Sequence, residues 1–533
     1  MTELPPHKTS IVCTIGPASS SLRTLERMIR AGMRVARLNL AHGDFETHRQ
    51  TIAAIRAAAD KVGRRVTLLA DLPGPKLRVG RLGPDVVELR RGQTVRLVGL
   101  DASESYTQAT AESGAASPPD SSAEACATAN SRPTTKTALL NIPAATASLT
   151  IPVSLLSIPV SLRPGDDIFL NDGLIQLRIQ RVVTEDLAGQ EGEAASRGNG
   201  GAGGASRVAL ARVVVGGELR YRDGINFPGI DLGISAFTDR DRELLAFAVA
   251  EGVEAVGVSF VQGPDDIAAV RSCAEGLGAD LFIIAKIERS QAVERIESIL
   301  EQADGLMVAR GDLGVDLPID RIAIVQKLLI SRANAVGKPV ITATQMLESM
   351  THNRRPTRAE VADVSNAILD GTDCVMLSEE TAMGQFPVDA VAVMARIAAS
   401  AERYREGMRR PPADAVTVPE VLAQEAATTA ERVRAKYIVV PTETGATARS
   451  VARLRPEAWI IAFSPHERTC HRLQFTRGVH PVFVPEAARV TLVGSSVDWH
   501  FVARRWLKEK GLRPGLATVI QGNNRLEVID LGV

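Results

Sequence analysis

The chain carries no excess charge of either sign: 62 Lys and Arg stand against 62 Asp and Glu. That balance removes the broad electrostatic attraction on which nucleic-acid and membrane-surface binders rely, so neither is an expected partner. Cysteine is sparse as well. Cys13, Cys126, Cys273, Cys374 and Cys470 are odd in number, widely spaced and never arranged as C-x-x-C. They suit neither a disulfide framework nor a zinc site and read as reduced thiols of a cytoplasmic protein. The opening MTELPPHKTS has no apolar run behind its charges and does not read as a secretory signal. One stretch, Leu139 to Leu162, lacks charge over a length that could span a bilayer, yet it contains Pro143, Pro152 and Pro159. A membrane helix is therefore rejected there, and the near-duplicated Ile-Pro-Val-Ser-Leu at 151–155 and 158–162 is expected to be extended chain or a sheet edge.

What the chain does have is length and apolar content: 533 residues, 45% of them hydrophobic, enough for two to four domains with their own cores. From Thr9 to Asp71, β-rich runs alternate with amphipathic helical stretches. Ser21 is placed to cap the first helix, Gly32 to end it, and a second helix is expected from about Phe45 to Lys61. The alternation stops near Gly80 and resumes near Ile234 with EAVGVSF, LFIIAKIE, GLMVARGDL, PVITATQM and CVMLSEET. Three early and five later strands, each followed by a helix, predict an α/β fold of the (β/α)8 TIM-barrel type. The expected domains are a first barrel part at 1–80, an inserted β domain at 81–219, a second barrel part at 220–408 and a C-terminal α/β unit at 409–533. Within the insertion, 101–135 and 187–206 are too polar or Gly-rich to offset their ordering entropy and are expected to be disordered loops.

Active sites of such barrels gather at the C-terminal strand ends, and polar residues cluster there. Arg37 and Asn39 close the second strand, Asp71 the third, Lys286 and Glu288 the fifth, Arg310 and Asp312 the sixth, Thr344 and Gln345 the seventh, and Ser378 and Glu379 the eighth. Alternation in IIAKIE points Lys286 and Glu288 to the same side. With Asp312, two carboxylates converge as a Mg²⁺ site needs, against the competing reading of an ion pair that merely closes the barrel. A divalent ion and a lysine on one substrate would stabilise an enolate or a transferring phosphoryl group. Arg37 offers a planar fork for phosphate, the Gly311 backbone an N–H at a helix start, and Thr344 a hydroxyl able to orient water or pass a proton. These residues predict a Mg²⁺-dependent barrel enzyme acting on a small anionic substrate and leave that substrate open.

The strings TSIVCTIGPAS, MRVARLNLAHG, DLPGPKLRVG, FLNDGLI, GINFPG, IIAKIE, GLMVARGDLGV, KPVITATQMLESM and PTRAEVADVSNAILDGTDCVMLSEETA, in this order, resemble pyruvate kinase. The resemblance implies a barrel with a small β-barrel lid domain and a C-terminal α/β regulatory domain, a cytoplasmic homotetramer, and glycolytic phosphoryl transfer from phosphoenolpyruvate to ADP. It implies Lys286, Arg37 and Thr344 in catalysis, Arg37, Lys286, Gly311, Asp312 and Thr344 on the substrate, and Glu288 and Asp312 on Mg²⁺ or Mn²⁺. Asn39, His42 and Arg78 match positions near the nucleotide phosphates.

Two departures from the family pattern carry further expectations. Potassium-dependent members have a serine where Ala41 stands and a glutamate where Lys76 stands. Asn39, Asp71 and Leu72 are then the remnant of a monovalent-cation site, with Lys76 supplying the charge and K⁺ not required. PTETGATARSVARLRP resembles the family's effector-phosphate loop, with Thr442, Thr444 and Thr447 as phosphate candidates, but VIQGNNRLEVIDLGV lacks the longer Gly-rich loop of fructose-bisphosphate-activated members. A sugar monophosphate or AMP is a better expectation than the bisphosphate, with the absence of any activator as the alternative. The rival readings are a Mg²⁺ barrel lyase handling pyruvate enolate and a non-catalytic metabolite sensor.

Overall fold

The computed structural model describes residues 4–82, 85–99, 149–155, 158–159, 161–186, 205–230, 232–405, 417–485, 498–512, 514–521 and 525–531. The expected loop at 101–135, residues 187–204 of the second expected loop and the RRPPAD stretch at 409–414 lie outside them. The chain divides into two compact units, one of Met1–Pro75 with Ile234–Val533 and one of Lys76–Gly233.

In the first unit, eight parallel strands close into a barrel: Ser10–Ile15, Met33–Asn39, Thr67–Leu72, Ala255–Val258, Phe282–Ile287, Gly305–Ala309, Val340–Ala343 and Cys374–Leu377, with the first paired to both the second and the eighth. Every residue of the first, third, fourth and fifth strands is buried, as expected when both faces of a parallel sheet are covered. Local signals set the helices between them. Ser21 accepts from the Thr24 amide and caps the helix Leu22–Ala31, and Gly32 ends it at φ 134°. Asp44 caps Phe45–Val62, whose last turn hands over to Gly63 in the left-handed region.

The same unit contains a second sheet of five strands, in the region expected to be a C-terminal α/β unit. Its order is Val479–Phe483, Trp459–Ser464, Tyr437–Pro441, Leu516–Gln521, Arg525–Asp530, parallel except for the last pair. This region is fastened to the N-terminal end of the barrel. Arg455 forms an ion pair with Asp373 at 2.9 Å and donates to Asn334 Oδ1 and the Gly371 carbonyl, both at 2.6 Å. Ser10 Oγ donates to the Gln474 carbonyl at 2.6 Å and the Cys374 thiol to the Phe475 carbonyl at 3.2 Å. Phe475 itself, fully buried, stands among the side chains lining the barrel interior and stacks on Phe282 with ring centroids 5.3 Å apart. A side chain from outside the barrel sequence thus completes its bottom layer.

The second unit is a six-stranded mixed sheet in the order Ile225–Asn226, Asp167–Leu170, Ile175–Asp186, Ala205–Val215, Thr94–Gly99, Leu149–Val153, plus the pair Gly217–Arg220 with Val86–Leu89. Arg78 bridges to Gly224 beside one edge and Val79 to Val153 on the other, so two consecutive residues tie the edges together. The uncharged stretch containing Leu149–Val153 is, where described, an edge strand. Pro152 is tolerated there because the edge needs no donor from it, and its carbonyl accepts from Gly80 at 2.8 Å. Among the described residues no helix is long and apolar enough to cross a membrane.

Two outcomes follow from the join between barrel and C-terminal sheet. Phe475→Ala leaves a void against Phe282 and is expected to lower stability by about 3–5 kcal/mol, read as a fall in the apparent Tm. His480, half-buried against Trp506 at 5.4 Å, has its imidazole pushed down to about 3 by burial first and then by Arg34, Lys510, Arg65 and Arg64. The unfolded chain binds a proton that the folded chain refuses, so this contribution is complete above the ordinary value of 6.5 and is lost as pH falls from there toward 3. His480→Gln should flatten the acid limb of a denaturation-versus-pH curve.

Candidate active site

Four charged side chains meet at the C-terminal ends of the second, third and fifth barrel strands. Arg37, at the end of the second strand, donates through Nε to Asp71 Oδ2 at 2.7 Å and adds a second contact from Nη2, while its Nη1 reaches Thr14 Oγ1 at 2.9 Å. Asp71, on the third strand, takes Lys286 Nζ on its other oxygen at 3.1 Å. Lys286, on the fifth, also lies 2.9 Å from Glu288 Oε1. The two-residue alternation of an extended strand is what brings Lys286 and Glu288 to one side.

These groups are buried: Asp71 and Glu288 are each 2% exposed and Lys286 9%. Burial alone would neutralise the lysine, but the charges of Asp71 and Glu288 outweigh it and hold the ammonium well above the ordinary lysine range. For Asp71, burial pushes the carboxyl up, and Arg37 and Lys286 more than reverse it. Glu288 goes the other way. Burial raises it, Lys286 opposes, and the charge of nearby Asp312 raises it further. Two cations therefore face three carboxylates, and the excess negative charge sits on Glu288 and Asp312. Oxygen donors with unbalanced charge are the ligand type of a hard divalent cation such as Mg²⁺ or Mn²⁺, so the donor set fits the metal that the sequence predicts. Among the described residues no group of three or more His, Cys, Asp or Glu gathers as a metal cage. Two carboxylates are what Mg²⁺ takes from a protein when water and substrate oxygens fill the rest.

On the sixth and seventh strands the geometry is set by backbone strain. Thr344 and Gln345 stand at φ 68° and 53°, a region a β-branched threonine avoids. Arg310 holds them there, donating to the carbonyls of Ala343 at 3.2 Å and Thr344 at 2.7 Å, and is itself anchored to Asp363 at 2.7 Å. The turn aims Thr344 Oγ1 at Gly311, whose amide donates to it at 2.8 Å, while the hydroxyl donates to the Ala343 carbonyl at 2.7 Å. The Gly311 amide expected to face a ligand is thus engaged by Thr344 in this structure.

The remaining sequence candidates are spread more widely. Asn39 Oδ1 accepts from the Ala41 amide at 3.3 Å in a turn beyond the second strand, and the His42 carbonyl accepts from His48 Nε2 at 2.8 Å. Leu72 offers its carbonyl to Ser259 Oγ at 2.6 Å. Lys76 and Arg78 belong to the second unit, where Arg78 donates to the Arg222 carbonyl at 3.2 Å. Thr442, Thr444 and Thr447 lie after the strand Tyr437–Pro441. The first two hydroxyls accept from the amides of Gly445 at 2.9 Å and Ala446 at 3.4 Å, and Arg449 donates to the Thr444 carbonyl at 3.3 Å. Ser259 and Thr14 were not singled out by the sequence, although both are polar residues at or near strand ends. Arg310 was noted only as a polar strand-end residue, and its partner Asp363 lies 53 positions away.

Comparison with known proteins gives the same family throughout. The model "Pyruvate kinase, barrel domain" matches residues 6–113 and 202–391, and "Pyruvate kinase, alpha/beta domain" matches 420–524. The pyruvate kinase of Thermococcus litoralis is 43% identical over 492 residues, 91% of this chain and 90% of that protein. Pyruvate kinase 2 of Synechocystis is 38% identical over 481 residues, 90% of this chain and 71% of its own length. A crystal structure of a pyruvate kinase from Cryptosporidium parvum superposes with a TM-score of 0.78 at 32% identity, covering 99% of this chain and 96% of that one. With a closed eight-stranded barrel, a buried lysine–carboxylate cluster at its mouth and both family domains matched, the chain belongs to the pyruvate kinase family of phosphotransferases.

Proposed function

We propose that this chain transfers the phosphoryl group of phosphoenolpyruvate to ADP, giving pyruvate and ATP in cytoplasmic glycolysis. The observation that carries the reading is the Lys286 ammonium, kept charged in a buried site at 2.9 Å from Glu288 and 3.1 Å from Asp71. In such surroundings a fixed cation is worth far more to developing negative charge than it would be in water.

In this reading Lys286 faces the phosphoryl group as its bond to the enol oxygen breaks, and then the enolate oxygen left behind. Arg37 grips the phosphate. Gly311, Asp312 and Thr344 seat the carboxylate, whose oxygen takes over the Gly311 amide that Thr344 now holds. Thr344 Oγ1 passes the proton that converts the enolate methylene to the methyl of pyruvate. Glu288 and Asp312 are the metal ligands, and a bound Mg²⁺ or Mn²⁺ supplies Lewis-acid charge to phosphoryl and enolate oxygens. Asn39, His42 and Arg78 are assigned to the nucleotide phosphates.

Potassium is not required in this proposal. Ala41 lacks a hydroxyl to offer a monovalent ion, Asp71 takes two protein cations and the Leu72 carbonyl is engaged by Ser259, while Lys76 supplies a tethered charge. A sugar monophosphate or AMP is proposed at Thr442, Thr444 and Thr447, whose first two hydroxyls accept from amides and retain a proton to donate. The assembly is proposed to be a homotetramer.

The test is pyruvate formation from phosphoenolpyruvate with Mg²⁺, with and without ADP. Formation only with ADP is expected, and an equal rate without it would defeat the proposal. Lys286→Met should lower kcat by about a thousandfold or more. Replacing KCl by tetramethylammonium chloride should leave the rate unchanged, whereas Lys76→Glu should make the enzyme lose about tenfold in rate without K⁺. A large KCl stimulation of the unaltered enzyme would refute potassium independence.

A further inference from the structure

The turn after the fourth barrel strand touches both ends of the lysine–glutamate pair. Ser259 is 2% exposed, with its Oγ 2.6 Å from Lys286 Nζ and 2.6 Å from the Leu72 carbonyl. A carbonyl only accepts, so the serine's single proton belongs to Leu72 and its lone pair faces the ammonium. The next residue, Phe260, is held at φ 55°, and its amide donates to Glu288 Oε2 at 2.7 Å. The turn packs tightly against Gly74, where an added Cβ would come within 3.0 Å of the Phe260 ring and 3.2 Å of Ser259 Cβ. One dipeptide therefore grips Lys286 through a side chain and Glu288 through the main chain.

The Lys286 ammonium donates a hydrogen bond to Ser259 Oγ, while Glu288 Oε1 at 2.9 Å and Asp71 Oδ1 at 3.1 Å stand beside it as ion-pair partners, and Asp71 Oδ1 accepts no hydrogen bond from the described residues. Attraction to the two carboxylates has little directionality, and Asp71 and Glu288 are themselves fixed by Arg37 and by the Phe260 amide. With those two partners alone the ammonium would be free to slide between them. The neutral hydroxyl adds a third direction without adding charge.

We propose that Ser259 is a positioning residue for Lys286: tethered to the Leu72 carbonyl, its hydroxyl fixes where the ammonium stands when the phosphoryl group is transferred. The proposal rests on the function assigned to Lys286 above. It requires a loss confined to the transition state, because substrate binding draws on Arg37, Gly311 and Thr344 as well.

The experiment compares the full-length enzyme with Ser259→Ala and with Ser259→Cys, whose thiol fills the space but hydrogen-bonds weakly. Both are expected to lose about 10–100-fold in kcat, the size of a charge-assisted hydrogen bond, with KM for phosphoenolpyruvate changed by less than about threefold. Binding of Mn²⁺ alone, followed by the electron paramagnetic resonance of the free ion, should be unchanged, since the Phe260 amide still holds Glu288. Wild-type kcat in either variant, a raised KM at unchanged kcat, or a loss that tracks a lowered Tm would overturn the proposal. If the unaltered enzyme forms no pyruvate with ADP, the reading of Lys286 fails instead, whereas normal turnover in all three proteins removes only the part given to Ser259.

Discussion

A single buried ammonium organises the mouth of this barrel. Removing a lysine from water is costly unless its charge is matched, and Lys286 is matched by two carboxylates that are themselves almost wholly buried. Those carboxylates cannot be left to themselves either. Asp71 is balanced by Arg37, Arg37 extends to Thr14 on the first strand, and Glu288 leans on the amide of Phe260 after the fourth. The requirement to satisfy one cation thus recruits residues from the first five strands of the closed sheet. Replacing the cluster by apolar residues would meet the same packing need, so its persistence in a desolvated place points to chemistry rather than to stability.

Strain supports the same conclusion from a different direction. Phe260, Thr344 and Gln345 all adopt left-handed backbone at the C-terminal ends of strands, where a non-glycine residue stays only if its surroundings over-determine it. Each has such surroundings: a carboxylate on the amide of Phe260, and the Arg310 guanidinium in the Thr344 turn, with Asp363 behind it. The charged cluster and the strained turns lie on one rim of the barrel, and Glu288 with Asp312 links them.

Much of this was readable in the chain. Period-two alternation put Lys286 and Glu288 on one side, and apolar runs ending in polar residues located the ends of the second, third, fifth, sixth, seventh and eighth strands. Ser21 and Gly32 marked the bounds of the first helix, and the second, expected from about Phe45 to Lys61, runs from Phe45 to Val62. These signals are local, carried by a few neighbouring residues. What escaped depends on contacts between distant positions. Ser259 follows VGV as plainly as Asp71 follows LLA, but nothing nearby shows that its lone pair meets a lysine 27 positions on. Arg310 looked like one more strand-end polar group until its carbonyl acceptors on the next strand were known. Gly311 read as an amide open to an anion because the threonine that occupies it comes 33 residues later. Phe475 is an ordinary aromatic in LQFTRG, and no pattern marks it as an occupant of another sheet's interior.

That last residue bears on how the chain is made. The ring that completes the barrel's bottom layer is encoded about a hundred positions after the eighth strand, as the 101-residue separation of Cys374 and Phe475 shows. At a synthesis rate of about 5–20 residues per second, a ribosome releases the last staves roughly 5–20 seconds before the side chain that seals them. During that interval the ring of Phe282 has no stacking partner from within its own sheet. The base of the barrel is thus filled only once sequence well downstream of its last strand has been made.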